Sequence, residues 1–241
     1  MAFSTRLGGV SAPPYDSLNL SVATGDDPER VAANRERLSA ALGLAPAWGP
    51  TWALARQVHG CGVLVDPAAG GGPEDADAVV VHEPGRPAAV LVADCVPIAL
   101  VGEGVAAAVH AGWRGLCAGV IEAAVSAIGA PRDALVAWIG PCIGPCCYEV
   151  GPEVSAAFVA RRPGAPACTR TVGGATHFDL RAAATWVLAR AGVAVAEGDA
   201  PSDGLTGGPA CTACDPRFFS HRRDARGGGT TGRQALVVWV P

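Results

Sequence analysis

Between residues 75 and 112 the chain reads DADAVVV, then AAVLVADCVPIALVG, then GVAAAVHAG. These three runs show almost no alternation of apolar and polar residues. A strand with one face in water alternates, so these strands must be covered on both faces. Any fold for this chain therefore needs a central β layer with packing elements above and below it. The helical patterns supply part of that cover. Asp26-Asp27-Pro28-Glu29 is a helix start, with a capping carboxylate, proline at the first helical position and early negative charge. Val31, Leu38, Ala41 and Leu42 form its apolar face, and Gly43 supplies the stop. Further helices are predicted over 115–129, over EVSAAFVARR and over 179–192, the last with an Asp179 cap and a terminal Gly192. TWALARQVHG, CGVLVD, ALVAWIGP and RQALVVWV read as additional strands.

The mixture of adjacent strands and intervening helices predicts an α+β fold, with mixed β-sheets packed against flanking helices. No repeat and no long linker interrupts the 241 residues, so residues 1–241 are expected to form a single domain. The stretches 66–76, 163–176 and 201–216 are expected to be surface connections.

Half of the residues are hydrophobic and 17% are charged, which excludes a disordered or collagen-like chain. The formal net charge of −4 argues against a nucleic-acid surface. All 18 basic residues are arginine, so Schiff-base and P-loop lysine chemistry are absent, and a single arginine is weaker functional evidence than usual. Neither a signal-peptide core nor a membrane-spanning run is found, and a cytoplasmic protein is expected. In that setting the nine cysteines read as thiols, ligands or nucleophiles rather than a disulfide framework.

Three residues share a context. His59 in QVHG, Cys95 in VADCVP and His110 in VHAGWRG each end an apolar strand beside glycine, proline or aspartate. Two imidazoles and a thiolate make a three-ligand zinc set, and a catalytic zinc keeps its fourth position open for water. The sequence separations are long, so spacing does not establish that the three meet. By residue type alone a hydrogen-bonded core histidine or a buried inert cysteine is the commoner reading of each. Asp94 is expected to brace the turn before Cys95, and Arg114 to pack or orient the His110 turn. Gln57 reads equally as a polar contact or a solvated strand edge. Asp75 and Asp77 could orient a histidine, although a solvated turn is the plainer expectation. His82 and His177 lie in polar, loop-like contexts and are expected to be solvated. Cys211-Thr-Ala-Cys214 has metal-ribbon spacing, with Cys142, Cys146 and Cys147 available nearby. Only one half has that spacing, so a second zinc is not expected.

The motifs FSTRLGGVS, NLS, DDPERVAANRERL, QVHG, DADAVV, ADCVPI, HAGWRG, GPCIGPCCYEVG and FFSHRRD with a closing TGR run from residue 3 almost to the C-terminus. Together they resemble the YfiH family, also called the laccase-domain or polyphenol-oxidase-like family. The resemblance implies a YfiH-like α+β fold and a His59–Cys95–His110 metal site holding zinc, or copper. It also implies an enzyme acting on purine nucleosides with phosphate, by phosphorolysis of adenosine, inosine, guanosine or methylthioadenosine, and by adenosine deamination. Under that implication Arg6, Arg222 and Arg223 become candidates for phosphate or ribose, since guanidinium groups bind oxyanions bidentately.

Departures from the family pattern lie outside the three ligands. The short strand that precedes FSTR in similar proteins is missing or truncated, the ARGGGTTGR connection is long, and position 221 is histidine. Other readings stay open. Editing of peptidoglycan precursors is excluded by nothing in the residues and is compatible with a nucleoside activity. A metal-free Cys95–His110 hydrolase needs only a thiol and a base. A copper polyphenol oxidase fits poorly, because five histidines and a single methionine, Met1, are too few for its clusters.

Overall fold

A computed structural model describes residues 1–44, 51–68, 74–196, 211–225 and 228–241. Its centre is a six-stranded mixed sheet. The strands are β2 (Val63–Val65), β3 (Ala78–Val81), β5 (Val96–Gly102), β6 (Val105–Ala111), β7 (Val136–Ile139) and β10 (Ala194–Val195), in the order β10-β7-β5-β6-β3-β2. The inner pairs are antiparallel and the two edge pairs are parallel. A second sheet of three strands joins β1 (Ala2–Phe3), β11 (Gln234–Val238) and β4 (Ala88–Val92) in the order β1-β11-β4. At the N-terminus Ala2 and Phe3 pair antiparallel with Val237 and Leu236 of β11.

The uninterrupted apolar runs are explained by what lies on each side. Val80, Ile98, Leu100, Ala107 and Val109 pack in a cluster with α2 (Trp113–Ala118), α3 (Val120–Ile128), α4 (Pro152–Arg161) and α5 (Leu180–Arg190). Their neighbours Val79, Val81, Ala99, Ala106 and Ala108 pack in another cluster with Ala88, Val90, Leu236 and Val238 of the three-stranded sheet. Every residue of β6 is buried. Alanine is a poor strand former, but burial on two faces outweighs that preference here.

The outer face of the three-stranded sheet, with Ala89, Ala235 and Val237, is covered by Leu18, Leu20, Trp52 and Leu38. Leu38 belongs to α1 (Pro28–Ala41), whose start is as expected: Asp27 caps the Glu29 amide and Pro28 follows it. The fully buried Asn34 on this helix donates to Ser11, Ser17 and Asn19 and accepts from Val10. A satisfied carboxamide therefore pins the irregular N-terminal segment onto the helix.

Four expectations need correction. TWALARQVHG is not a strand. It is an extended segment with isolated bridges at Ala53 and Arg56. The Gln57 carboxamide replaces a ladder there, donating to the Leu91 carbonyl and accepting from the Leu91 amide, each at 2.8 Å. Residues 88–102 form two strands in different sheets, parted by a turn at Asp94 with φ 92°. The helix over 115–129 is two helices, because Gly119 adopts φ 98° and closes α2 with a bond from its amide to Gly115. The connection 163–176 contains most of a hairpin, β8 (Thr169–Val172) and β9 (Ala175–Phe178), turned by Gly173 and Gly174 at positive φ. Parts of the predicted connections 66–76 and 201–216 lie outside the described residues. Among the described residues no helix is long and apolar enough to cross a membrane.

Candidate metal centre

The antiparallel register of β5 with β6 pairs Val96 with Ala111 and Pro97 with His110, which sets Cys95 beside the end of β6. His59 arrives from the extended segment that Gln57 ties to β4. The three predicted ligands therefore meet: one donor atom from each of His59, Cys95 and His110 lies within 4.8 Å of the others. The Cys95 sulfur is 3.9 Å from Nε2 of His59, and the two imidazole rings stand edge-to-face with centroids 4.8 Å apart. His110 is buried, Cys95 half-buried and His59 exposed, so the cluster opens outward on the His59 side.

One buried carboxylate organises it. Asp77, with no exposed surface, accepts from Nδ1 of His110 at 2.7 Å and from the backbone amides of Val58, His59 and Gly60. The plainer expectation of a solvated turn fails for Asp77. It holds for Asp75, whose exposed carboxylate pairs with Arg56. Fixing Nδ1 of His110 leaves Nε2 to face the sulfur and raises the ring's basicity.

HAGWRG explains its glycines through contact. A Cβ on Gly112 would lie 3.0 Å from the His59 ring and 3.1 Å from the Cys95 sulfur. A Cβ on Gly115 would lie 3.0 Å from the Gly60 carbonyl. The loop can approach the ligands only where these side chains are absent. Arg114 stacks its guanidinium on Trp113 at 4.5 Å. His59 and Asp94 both hold left-handed backbone, at φ 60° and 92°. Such conformations cost about 1–3 kcal/mol each and persist only where the surroundings enforce them. Around Asp94 the enforcement is visible: its carboxylate accepts from the Thr212 hydroxyl at 2.6 Å and the Arg222 amide at 2.7 Å. Asp94 braces the turn as expected.

Burial alone would push the Cys95 thiol up. The charge and hydrogen bond of His110, with a further contact from His59, outweigh burial and bring it down to about 6. Burial likewise opposes charge on His110, but the Cys95 thiolate and the Asp77 hydrogen bond raise it to about 9. In the metal-free pair these shifts favour a thiolate beside an imidazolium, and the Nε2 proton must leave before that nitrogen can hold a metal. A sulfur and two imidazole nitrogens brought this close together could hold a metal ion.

The cluster lies in the wall of a cavity of about 970 Å³. Arg35, Arg114, Arg222 and Arg233 line it, with Tyr148 and Trp113 as aromatic walls. Among the described residues its acidic lining consists of Glu74 and Asp94, and Asp94 is already engaged. Arg222 crosses Tyr148 at 5.2 Å and donates to the Glu149 carbonyl. Of the other predicted arginines, Arg6 binds Asp16 and Asp224 and stacks on Phe219. Arg223 donates to the carbonyls of Thr212, Asp215 and Phe218 and to Asp224. Neither lines the cavity. Sequence reasoning missed Arg35, Arg233 and Tyr148 as lining residues. Arg233 and Tyr148 sit within quoted motifs, TGR and CCYEVG, and Arg35 within DDPERVAANRERL. His82 is exposed and pairs with Asp66, whereas His177 is buried in β9, against expectation.

The family model described as "multi-copper polyphenol oxidoreductase laccase" matches residues 1–241. The chain is 43% identical over 241 residues to the purine nucleoside phosphorylase YfiH of Escherichia coli, covering 98% of this chain and 92% of that protein. It is 44% identical over 262 residues to a purine nucleoside phosphorylase of Xylella fastidiosa, covering 100% and 92%. Among solved structures, YlmD of Geobacillus stearothermophilus superposes with a TM-score of 0.85 at 32% identity, over 99% of this chain and 90% of that one.

Proposed function

The chain belongs to the YfiH family, and from that membership and the site geometry we propose that it is a zinc-dependent enzyme catalysing phosphorolysis of purine nucleosides. The observation that carries the reading is the convergence of His59, Cys95 and His110 in the wall of an arginine-lined cavity. Phosphorolysis forms a bond from a phosphate oxygen to C1′ of the ribose and breaks the bond from C1′ to the purine nitrogen, which then takes up a proton. Arg222, Arg233 and Arg114 supply the cationic lining that a phosphate dianion needs in a protein of net negative charge. Tyr148 and Trp113 offer aromatic faces for the purine. Burial pushes the Tyr148 hydroxyl up to about 12, so it remains a proton-bearing donor at neutral pH. Asp77 holds a proton on Nδ1 of His110 and so keeps Nε2 turned to the ligand cluster. When bound, zinc would polarise an oxygen atom at its open position.

Adenosine deamination draws on the same open position. A metal-free thiol hydrolase is the second reading, and the thiolate–imidazolium pair of Cys95 and His110 favours it. One experiment separates the three. Purified protein is assayed with adenosine and with inosine, with and without phosphate, before and after chelation. Free base and ribose 1-phosphate formed only with phosphate and only before chelation is the expected result. Inosine from adenosine without phosphate marks deamination. Turnover that survives complete metal removal would overturn the zinc reading.

A further inference from the structure

Far from the His59–Cys95–His110 cluster in sequence, the turn that follows β7 and the turn that precedes α6 (His221–Asp224) bring four more sulfurs together. The Sγ atoms of Cys146, Cys147, Cys211 and Cys214 all lie within 4.8 Å of one another. We propose that these four cysteines form a closed tetrathiolate zinc site that staples two walls of the cavity to each other.

The spacing favours a shared cation over a disulfide. Zinc–sulfur bonds of about 2.3 Å at tetrahedral angles place the sulfurs about 3.8 Å apart. The Cys146 and Cys147 sulfurs stand 3.6 and 3.3 Å from that of Cys214. A disulfide would need about 2.05 Å and would join only one pair, leaving the other two thiols crowded against it. All nine cysteines are free.

The backbone is arranged as a ligand loop requires. Cys142 and Cys211 form a β-bridge, with the Thr212 amide donating to the Cys142 carbonyl at 3.1 Å. From that bridge Cys211-Thr-Ala-Cys214 folds into a tight turn, the Cys214 and Asp215 amides both donating to the Cys211 carbonyl. Opposite it, the Cys147 and Tyr148 amides donate to the Gly144 carbonyl, each at 3.0 Å, forming a second tight turn. The Gly144 amide then crosses to the Cys211 sulfur at 3.1 Å. An N–H aimed at sulfur stabilises the thiolate, the form a metal needs. Gly144 is also sterically required, since a Cβ there would lie 3.2 Å from the Cys146 sulfur and from Cβ of Cys211. Cys211 is buried while Cys146 and Cys214 are exposed, so an ion can enter from solvent and still sit against a rigid floor.

The position gives the site its role. Cys147 precedes Tyr148, and Thr212, one residue after Cys211, donates to Asp94 in the turn that presents Cys95. Arg223 gathers the carbonyls of Thr212 and Asp215 immediately above α6, which carries Arg222. Linking the two turns therefore fixes Tyr148, Arg222 and the Asp94 turn relative to one another. The site is structural, since four protein ligands leave no open position.

The test is metal stoichiometry on the full chain, purified without chelator. Wild-type protein is expected to hold two zinc ions per chain. Cys211→Ser/Cys214→Ser should hold one, and His59→Ala/Cys95→Ala should hold the other. If the first double variant fails to fold, cobalt loading of the His59→Ala/Cys95→Ala variant decides the point, because a tetrathiolate site gives intense sulfur-to-cobalt charge-transfer absorption. Absence of that absorption, unchanged metal content in Cys211→Ser/Cys214→Ser, a disulfide between Cys147 and Cys214 in the freshly isolated protein, or iron in place of zinc would each overturn the proposal. Loss of the first ion alone would fail the functional reading and leave this one standing.

Discussion

Asp77 and His110 are joined twice. The His110 amide donates to the Asp77 carbonyl at 2.7 Å, and Nδ1 of the same histidine donates to the Asp77 carboxylate at 2.7 Å. Because that carboxylate also takes the His59 amide, one side chain sets the positions of two of the three candidate ligands. Asp77→Asn keeps the shape, removes the charge and is expected to weaken metal affinity about 10–100-fold. Chelator competition measures it, and an unchanged affinity would count against the organising role.

In the metal-free protein the Cys95 thiol carries the signature of its His110 neighbour. With Cys95 at about 6, its thiolate is present at neutral pH and is progressively protonated as pH falls below that value. The rate of alkylation by iodoacetamide, followed by mass spectrometry at Cys95, should therefore fall on acidification with a midpoint near that value. Added zinc should protect the residue. A midpoint in the ordinary thiol range, about 8.5, would remove the His110 ion pair from the account.

Gly112→Ala adds one methyl group against the His59 ring and the Cys95 sulfur. Over-packing of this kind costs about 1–3 kcal/mol. Here the strain falls on the ligands, so the variant should lose metal and activity while its thermal midpoint drops by only a few degrees. Metal content and differential scanning fluorimetry, measured together, check this; full metal occupancy would contradict the contact geometry.

Arg222 and Arg6 should separate. Arg222 lines the cavity, so Arg222→Met is expected to raise the KM for phosphate about tenfold or more, which corresponds to about 1.4 kcal/mol. Arg6 is spent on Asp16, Asp224 and the Phe219 ring. Arg6→Met should lower stability and leave that KM unchanged. Phosphate-dependence curves and urea unfolding of the two variants provide the comparison.

Asp224 links the same region to acid stability. Burial alone would raise its carboxyl, but the Arg223 guanidinium, the Ser220 amide and the Thr231 hydroxyl hold it below the usual carboxylate range. The unfolded chain then binds more protons than the folded one as pH falls, so this contribution is present above the unfolded carboxylate pKa and is lost as pH drops through the folded value. Asp224→Asn should flatten the fall in urea midpoint between about pH 5 and pH 3. An equally steep fall would refute the linkage.

Much of this was legible in the sequence because it follows from periodicity and local chemistry. The buried runs forced cover on both faces, and the Asp27–Pro28 and Asp179 helix starts are local signals. What was hidden depends on where segments meet. Nothing in AAVLVADCVPIALVG says that its halves enter different sheets; only the Asp94 turn, locked by Thr212 from the other end of the chain, decides that. Gln57 imitates a ladder through its side chain, so its segment reads as a strand without being one. Gly173-Gly174 was a recognisable hairpin signal lying between two polar strands that resembled loop. His59, Cys95 and His110 stood out by their strand-end contexts, whereas Asp77 looked like any acidic turn residue until its burial was seen.

The passage of the chain from one sheet to the other at residues 93–95 has a mechanical consequence. The thiol sits at a seam, with its upstream neighbours anchored in the three-stranded layer and its downstream neighbours in the six-stranded one. Any slippage between the layers is transmitted directly to the sulfur. The position of the Cys95 sulfur therefore depends on the packing between the two layers, and damage to that interface, at Leu236 or Val238 for instance, is expected to disturb the His59–Cys95–His110 cluster from a distance.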